Sequence, residues 1–113
     1  YPLPRKMTGA RRALRYTGGL VSRRYCPLVY PEGNRTRDGA MLPFRPGVGM
    51  MAVRLRVPVV PVRIKGLYEI YSIHDSWPRR GPVEVCIGKP MTCPADMRFE
   101  DAAEALAIQI RQL

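Results

Sequence analysis

The sequence predicts an α/β domain in which helices flank a largely parallel sheet in separate layers. Three observations support this fold class. Segments near both ends of the 113-residue chain have the apolar spacing of amphipathic helices. Short apolar runs rich in β-branched residues lie between these segments. The predicted elements follow the order α-β-α-β-loop-β-α, and such alternation is typical of a layered α/β domain.

The first predicted helix covers residues 8–23. Helical spacing gives it one moderately apolar stripe, formed by Ala10, Leu14, Thr17 and Val21. Four arginines of the segment fall off that stripe: Arg11, Arg12, Arg15 and Arg23. The pair Gly18-Gly19 has low helix propensity and predicts an early end to this helix.

A short buried strand is predicted at residues 26–30. It leads into a loop at residues 31–46, which glycines and prolines punctuate. A second helix is predicted at residues 47–55, because apolar side chains recur there at helical spacing.

Two further strands and a terminal helix are predicted in the second half of the chain. Residues 57–64 are nearly all apolar, like a strand buried on both faces, but Pro58 and Pro61 confine it to a strand start, an edge or a bulge. Residues 82–87 alternate like a half-exposed strand. The helix at residues 98–113 has the cleanest apolar stripe: Phe99, Ala103, Leu106, Ile110 and Leu113.

The net charge of +10 is concentrated in the first part of the chain. Residues 1–65 carry 14 basic and 2 acidic side chains, whereas residues 66–113 carry 5 basic and 7 acidic ones. A positive field of this size attracts anionic lipid, a phosphorylated small molecule, coenzyme A or nucleic acid. Sixteen of the 19 cations are arginine, whose planar fork suits phosphate oxygens. Arginine codon bias in a GC-rich genome is the alternative explanation.

The cysteine pattern and the absence of long apolar runs limit the class further. Cys26, Cys86 and Cys93 are odd in number and form no C-x-x-C pair, which argues against a disulfide framework or a zinc site. Cys26 and Cys86 are expected to be buried. No apolar run approaches the ~20 residues of a transmembrane helix. The chain begins without Met or a signal peptide, which favours a fragment of a longer protein.

Residues 29–39 carry the strongest functional signal. Here the end of an apolar strand runs into a carboxylate, Glu32, and two arginines, Arg35 and Arg37. In open α/β sheets, ligands bind beyond the carboxyl ends of strands. An anionic ligand that also carries a hydroxyl group would use both charge types, so the sequence predicts a site for such a ligand here.

The block at residues 30–36, Tyr-Pro-Glu-Gly-Asn-Arg-Thr, resembles the "FPEGTRS" block of the glycerolipid acyltransferases. This family includes the 1-acyl-sn-glycerol-3-phosphate (lysophosphatidic acid) acyltransferases. Residues 57–62 are similar to the later proline-containing strand block of that family, and residues 43–49 to its usual "FKxG" connection. Residues 82–90 resemble the strand and "G-x-P" that close many members.

The resemblance covers about residues 1–95. It implies that residues 1–113 are the C-terminal part of one acyltransferase domain, whose sheet is incomplete at the N-terminus. The terminal helix at about residues 98–113 then follows the motif-bearing region.

The resemblance also implies a set of substrate-binding residues: Glu32, Gly33, Asn34, Arg35, Thr36 and Arg5. Arg35 would pair with the acceptor phosphate, and Arg5 is a weaker second ligand. Glu32 would accept a hydrogen bond from a glycerol hydroxyl. Asn34 and Thr36 replace the family's Thr and Ser with other small hydrogen-bonding residues.

Three prolines are assigned a structural part in the same site, namely Pro31, Pro58 and Pro61. The last two would hold the strand beneath the pocket. The alternative for Glu32 and Arg35 is a local salt bridge that caps a turn. Arg37 and Arg45 are interpreted as a solvated face near lipid headgroups.

The family's catalytic His-x-x-x-x-Asp motif is absent, so no catalytic residue is assigned. In the family that histidine is the general base and the aspartate orients its ring. The only histidine of the sequence is His74, and the fifth residue after it is Arg79. His74 is therefore expected to be a loop residue that pairs with Asp75 or packs on Trp77.

The resemblance implies transfer of a fatty acyl group from acyl-CoA or acyl carrier protein to lysophosphatidic acid or a related lysophospholipid, without a cofactor. The chain would need its missing N-terminal half for activity. It would act peripherally on an anionic membrane surface, at the cytoplasmic side. The alternatives are a module that docks on anionic membranes and a small basic nucleic-acid-binding module. The sequence lacks helix-turn-helix, zinc-knuckle and RNP patterns, which argues against the second.

Overall fold

A computed structural model describes residues 9–113, which contain helices and strands in an α/β mix. The chain divides into two compact units, of which one ends at Tyr30 and the other spans Pro31–Leu113. The elements are α1 (Ala10–Ser22), α2 (Pro46–Leu55), β1 (Val62–Lys65), α3 (Leu67–Ile70), β2 (Glu84–Ile87) and α4 (Phe99–Arg111). The α/β class is confirmed in this coarse form.

Helix α1 of the first unit runs through the glycine pair, so the predicted early end is wrong. Its buried face, with Ala13 and Thr17, outweighs the roughly 1 kcal/mol that each glycine costs. The helix ends in a Schellman motif, in which Arg24 (φ 66°) takes the left-handed conformation. The Arg24 N–H donates to Val21 O and the Tyr25 N–H donates to Leu20 O, at 2.9 and 3.0 Å.

The strand predicted at residues 26–30 does not form among the described residues. Leu28 and Tyr30 are 73% and 71% exposed, and Cys26 is exposed rather than buried. An apolar, β-branched run is stable as a strand only when a neighbouring strand accepts and donates its backbone hydrogen bonds. The described residues supply no such neighbour to this segment.

The described residues form one sheet of two strands, and these are antiparallel rather than parallel as expected. Val62 pairs with Ile87 and Lys65 pairs with Glu84 at the two ends of the ladder. A parallel pair needs a crossover connection, usually a helix of several turns. The connection between β1 and β2 contains only the four-residue helix α3, so the chain returns alongside the strand it left.

The proline-rich strand prediction is confirmed only at its end. Pro61 precedes β1 directly, and its carbonyl accepts from Gly88 N at 2.8 Å. Before it, Val59 and Met91 form an isolated antiparallel bridge with hydrogen bonds of 2.7 and 2.9 Å. Pro58 and Pro61 have no N–H to donate, so regular pairing is restricted to the residues after them.

The core of the second unit lies between α2 and α4, which confirms both helix predictions. Gly49 of α2 lies against the Phe99 carbonyl of α4, where a side chain would collide. The core cluster consists of small and medium apolar side chains: Ala52, Val53, Cys93, Ala102 and Leu106. Burial raises the pKa of the Cys93 thiol, so this cysteine serves as an apolar side chain.

Cations of β1 bind the carboxyl-terminal end of α4. Arg63 Nη1 donates to Arg111 O at 2.9 Å, and Lys65 Nζ donates to Leu113 O at 2.8 Å. The Arg111 carbonyl is one that has no partner within the helix, and both cations place positive charge near the negative end of the helix dipole. α1 and α4, with 13 residues each, are short for a bilayer, and no helix within residues 9–113 could span one.

Candidate functional site

Residues 31–45 form a loop, called the charged loop below. Two hydrogen bonds between residues of the loop close it on itself. Arg45 N donates to Pro31 O at 3.0 Å across the ends of the loop. Leu42 N donates to Glu32 Oε2 at 2.7 Å, a bond between residues ten positions apart. The half-buried Glu32 carboxylate therefore closes the loop through a backbone amide.

The turn at Gly33 and Asn34 is built against the Arg45 side chain. Gly33 has φ 69°, and a Cβ at this position would lie 2.5 Å from Arg45 Nε. With its side-chain amide turned so that both of its ends find partners, Asn34 donates to Gly33 O at 2.9 Å and accepts from Arg45 Nη2 at 3.2 Å. Glycine is favoured at position 33 by its positive φ, and a Cβ there would also displace the Arg45 side chain from this turn. Arg45 supports this turn, whereas the sequence suggested only a solvated cation.

Thr36 and Asp38 form the tip of the charged loop. Thr36 Oγ1 donates to Asp38 Oδ1 at 3.0 Å, and Ala40 N donates to the same oxygen at 3.0 Å. The Ala40 amide, followed by the Thr36 hydroxyl, lowers the pKa of the Asp38 carboxyl. Asp38 is therefore a fixed acceptor that holds the tip in its turn conformation.

Arg35 projects from the loop and stacks on an aromatic ring. Its Cζ lies 5.4 Å from the centroid of the Tyr71 ring. Among the residues that the structure describes, Arg35 forms no ion pair, and Glu32 is bonded to Leu42 instead. The alternative of a local salt bridge between Glu32 and Arg35 is therefore wrong.

The segment at residues 67–75, made of α3 and the turn after it, binds the charged loop at one carbonyl. Tyr68 OH donates to Arg37 O at 2.8 Å, and His74 Nε2 lies 3.1 Å from the same oxygen. The Tyr68 ring also packs against Gly39, whose φ is 85°. His74 lies in a loop as expected, but its ring contacts Arg37 O, a partner that the sequence did not suggest.

Asp75 is held by the turn after α3. Ser72 donates to Asp75 Oδ2 from its backbone N at 2.9 Å and from its hydroxyl at 2.7 Å. Arg79 Nη2 donates to Asp75 Oδ1 at 2.7 Å. The Ser72 hydroxyl, then the Ser72 amide and the Arg79 charge, lower the pKa of Asp75.

An open cleft of about 550 Å³ lies between the loop tip and this turn. It is lined by Asp38, Gly39, Tyr68, Glu69, Ser72, His74, Asp75 and Arg79. No set of three or more metal-ligating side chains occurs within residues 9–113. The cleft is polar, and its carboxylates at Asp38 and Asp75 are already occupied by donors from the chain.

Four further residues were assigned from the sequence, namely Arg5, Pro31, Pro58 and Pro61. Arg5 falls outside the described residues. Pro31 begins the charged loop, while Pro58 is exposed and Pro61 is buried beside β1.

Sequence reasoning missed the residues that support the loop, namely Tyr68, Tyr71, His74 and Arg45. The first three follow their partners by more than 30 positions, and no local pattern marks them. The closely spaced glycines at 33 and 39 are the one signal that a side chain must approach this loop.

Comparison with models of protein families matches residues 1–65 to the family described as Acyltransferase. The match includes the charged loop and the proline-containing strand segment, and it covers more than half of the chain. The chain therefore belongs to the acyltransferase family, and the resemblance to the glycerolipid acyltransferases is confirmed.

Several curated proteins that are similar to this chain are named as 1-acyl-sn-glycerol-3-phosphate acyltransferases. The chain is 32% identical over 83 residues to human 1-acyl-sn-glycerol-3-phosphate acyltransferase alpha, covering 74% of this chain and 29% of the human protein. It is 32% identical over 90 residues to a chloroplastic 1-acyl-sn-glycerol-3-phosphate acyltransferase of Brassica napus, covering 78% and 26%. The beta form from human is 37% identical over 57 residues, covering 50% and 20%.

The chain spans less than a third of the length of these relatives. No solved structure matches it significantly.

Proposed function

We propose that this chain is the acceptor-binding portion of an acyltransferase that acylates lysophosphatidic acid or a closely related lysophospholipid. The proposal rests on the surroundings of the Arg35 guanidinium in the charged loop. Its guanidinium lies at the loop surface, stacked on Tyr71 and without a carboxylate partner among the described residues. A planar guanidinium with free donors suits the bidentate binding of a phosphate.

The acceptor would bind with its phosphate on Arg35 and its glycerol near Glu32. One carboxylate oxygen of Glu32 accepts from Leu42 N, and the other is directed to no described donor, so it can accept from a glycerol hydroxyl. Gly33 and Asn34 would lie beside the bound acceptor through the turn that they form, and Thr36 would hold the tip of the loop near it. Arg5 is proposed as a second phosphate ligand.

Chemistry would require a general base that this chain does not provide. His74 is the only histidine in the sequence, and the residue five positions after it is Arg79. The Arg79 guanidinium pairs with Asp75. We therefore place the catalytic His-x-x-x-x-Asp motif in an N-terminal half of the same domain, which would also extend the sheet with parallel strands. The 113-residue chain alone would then be inactive.

The acyl donor is proposed to be acyl-CoA or acyl carrier protein. The concentration of cations in residues 1–65 suits an anionic membrane surface, where the acceptor resides. We propose peripheral attachment at the cytoplasmic side of that membrane. A nucleic-acid partner explains the charge but not the carboxylate within the loop.

The test is steady-state kinetics of the full-length protein that contains this chain, with lysophosphatidic acid and an acyl-CoA. Arg35→Ala is expected to raise the acceptor KM by about 10- to 100-fold, because a charge-assisted contact to phosphate is lost. The KM for acyl-CoA should not change. Arg80→Ala is the matched control, since it removes an exposed arginine of the same unit.

Unchanged acceptor kinetics in Arg35→Ala would refute the assigned role of this residue. The nucleic-acid alternative would be supported by tight, steeply salt-dependent binding of DNA together with no use of lysophosphatidic acid.

A further inference from the structure

The Arg35 guanidinium contacts the Tyr71 ring. Among the described residues it forms no ion pair. The Tyr71 ring centroid lies 5.4 Å from Arg35 Cζ, within the distance at which a guanidinium is attracted to an aromatic face. A carboxylate would fix the guanidinium by occupying its N–H groups. A ring fixes it through its flat face and leaves the five in-plane N–H donors available.

The backbone that carries Tyr71 is itself fixed. Tyr71 N donates to Leu67 O at 2.8 Å, which closes the single turn of α3. Before that turn, Gly66 has φ 89°, and a Cβ there would collide with Pro82 O. Arg79 N donates to Ile70 O at 2.8 Å on the other side. The ring is therefore presented by a short element that is held at both ends.

The same element is docked on the charged loop two residues beyond Arg35. Tyr68 OH and His74 Nε2 both contact the carbonyl of Arg37, so the residues on either side of Tyr71 determine its distance from the loop. Contact through a carbonyl fixes the backbone of the loop, whereas contact through the ring fixes the side chain of Arg35. Together they hold a cation in place without neutralising it.

We propose that Tyr71 is a positioning residue for the acceptor phosphate, acting through Arg35. The inference rests on the proposed function, since it assigns the purpose of the stack to phosphate binding. The ring limits the positions that the guanidinium can take, which would reduce the side-chain entropy lost on binding. Tyr71 itself would not touch the acceptor.

The test compares variants that keep or remove the ring at position 71 of the full-length protein. Tyr71→Phe keeps the aromatic face and should have wild-type kinetics. Tyr71→Leu removes the face and should raise the lysophosphatidic acid KM by about two- to fivefold, as expected for a partly exposed cation–π contact. Neither kcat nor the acyl-CoA KM should change, although a general loss of structure would alter both.

Tyr71→Gln is a second variant without a ring, to be used if the leucine variant does not fold. A polar side chain suits this position because the residue is 43% exposed. In the Arg35→Ala background, removal of the ring should have no further effect on the acceptor KM, because its partner is absent. This non-additivity separates positioning through Arg35 from an independent contact.

The two proposals fail in different ways. If Arg35→Ala raises the acceptor KM while both ring-free variants remain at the wild-type value, the positioning role of Tyr71 is refuted and the proposed function stands. If Arg35→Ala itself has no effect, the assigned phosphate ligand is wrong and the role of Tyr71 is refuted with it. If kcat falls together with stability in the ring-free variants, Tyr71 is structural only.

Discussion

Single residues of this chain are in places held in conformations that their side chains do not favour. Arg56 follows α2 with φ 53°, in the left-handed region that suits glycine. Arg24 takes the same conformation after α1. Both helix ends thus carry an arginine where a residue without a Cβ would be less strained.

Arg56→Gly is expected to stabilise the second unit by about 0.5–1 kcal/mol, because relief of the strain exceeds the added entropy of the unfolded chain. Urea denaturation followed by circular dichroism measures the change. Arg56→Ala is the control, since it removes the charge and keeps the Cβ. Equal stabilisation by both variants would show that charge, and not backbone strain, is responsible.

The Asp75 carboxylate is expected to make stability depend on pH in the acid range. Its pKa is lowered in the folded chain by the Ser72 hydroxyl and amide and by Arg79, so its contribution is present above the ordinary carboxyl pKa. The contribution is lost as the pH falls below about 4 towards the lowered pKa.

Urea midpoints of the parent chain and of Asp75→Asn should therefore differ near neutral pH and converge on acidification. Asp96→Asn, which changes an exposed carboxylate, is the control. A difference between parent and Asp75→Asn that stays constant down to about pH 2 would contradict this account.

At the scale of elements, the contact between α2 and α4 depends on a glycine. A Cβ on Gly49 would collide with Phe99 O and would lie 2.8 Å from Ala103 N. Since the obstacle is backbone of a packed helix, it can move only if the two helices separate.

Gly49→Ala is expected to destabilise the second unit by about 1–3 kcal/mol, measured as a shift of the urea midpoint. Gly47→Ala in the same helix is the matched control, because a Cβ there meets nothing within 4 Å. The control should gain up to about 1 kcal/mol from higher helix propensity. Similar effects of the two substitutions would exclude close packing as the cause.

Some elements are determined by residues within their own segment, and these could be predicted from the sequence. Elements that depend on a partner far away in the chain could not. The stripe of α4 and the proline restriction on β1 need no knowledge of the rest of the chain. The strand at residues 26–30 needs a neighbour to pair with, and the described residues offer none. In the site, the charged loop was predicted, but its supports at Tyr68, Tyr71 and His74 come from an element more than 30 positions away.

At the scale of the whole molecule, many large apolar side chains are exposed within residues 9–113. Leu28, Ile87 and Trp77 are 73%, 70% and 82% exposed. On the two-stranded sheet, Ile64 and Val85 are cross-strand partners and both are exposed. One face of this sheet is therefore apolar and uncovered. Such surfaces promote association.

We expect the isolated chain to melt over a broad temperature range, to bind a hydrophobic dye and to elute from gel filtration at a size that grows with concentration. Ile87→Lys places a charge on the exposed strand and should reduce the association without lowering the melting temperature. A sharp, cooperative melt of a monomer that binds no dye would overturn this expectation.

Tyr68 and His74 together form a clamp on the charged loop through their contacts with the carbonyl of Arg37. This clamp has an evolutionary consequence, because it does not involve the Arg37 side chain. Every amino acid supplies that carbonyl, so the loop can retain its shape while position 37 changes. Tyr68 and His74, in contrast, contribute specific side-chain atoms to the clamp. Among relatives that share this clamp, substitutions should therefore accumulate at position 37, while the tyrosine and the histidine some 30 residues downstream persist.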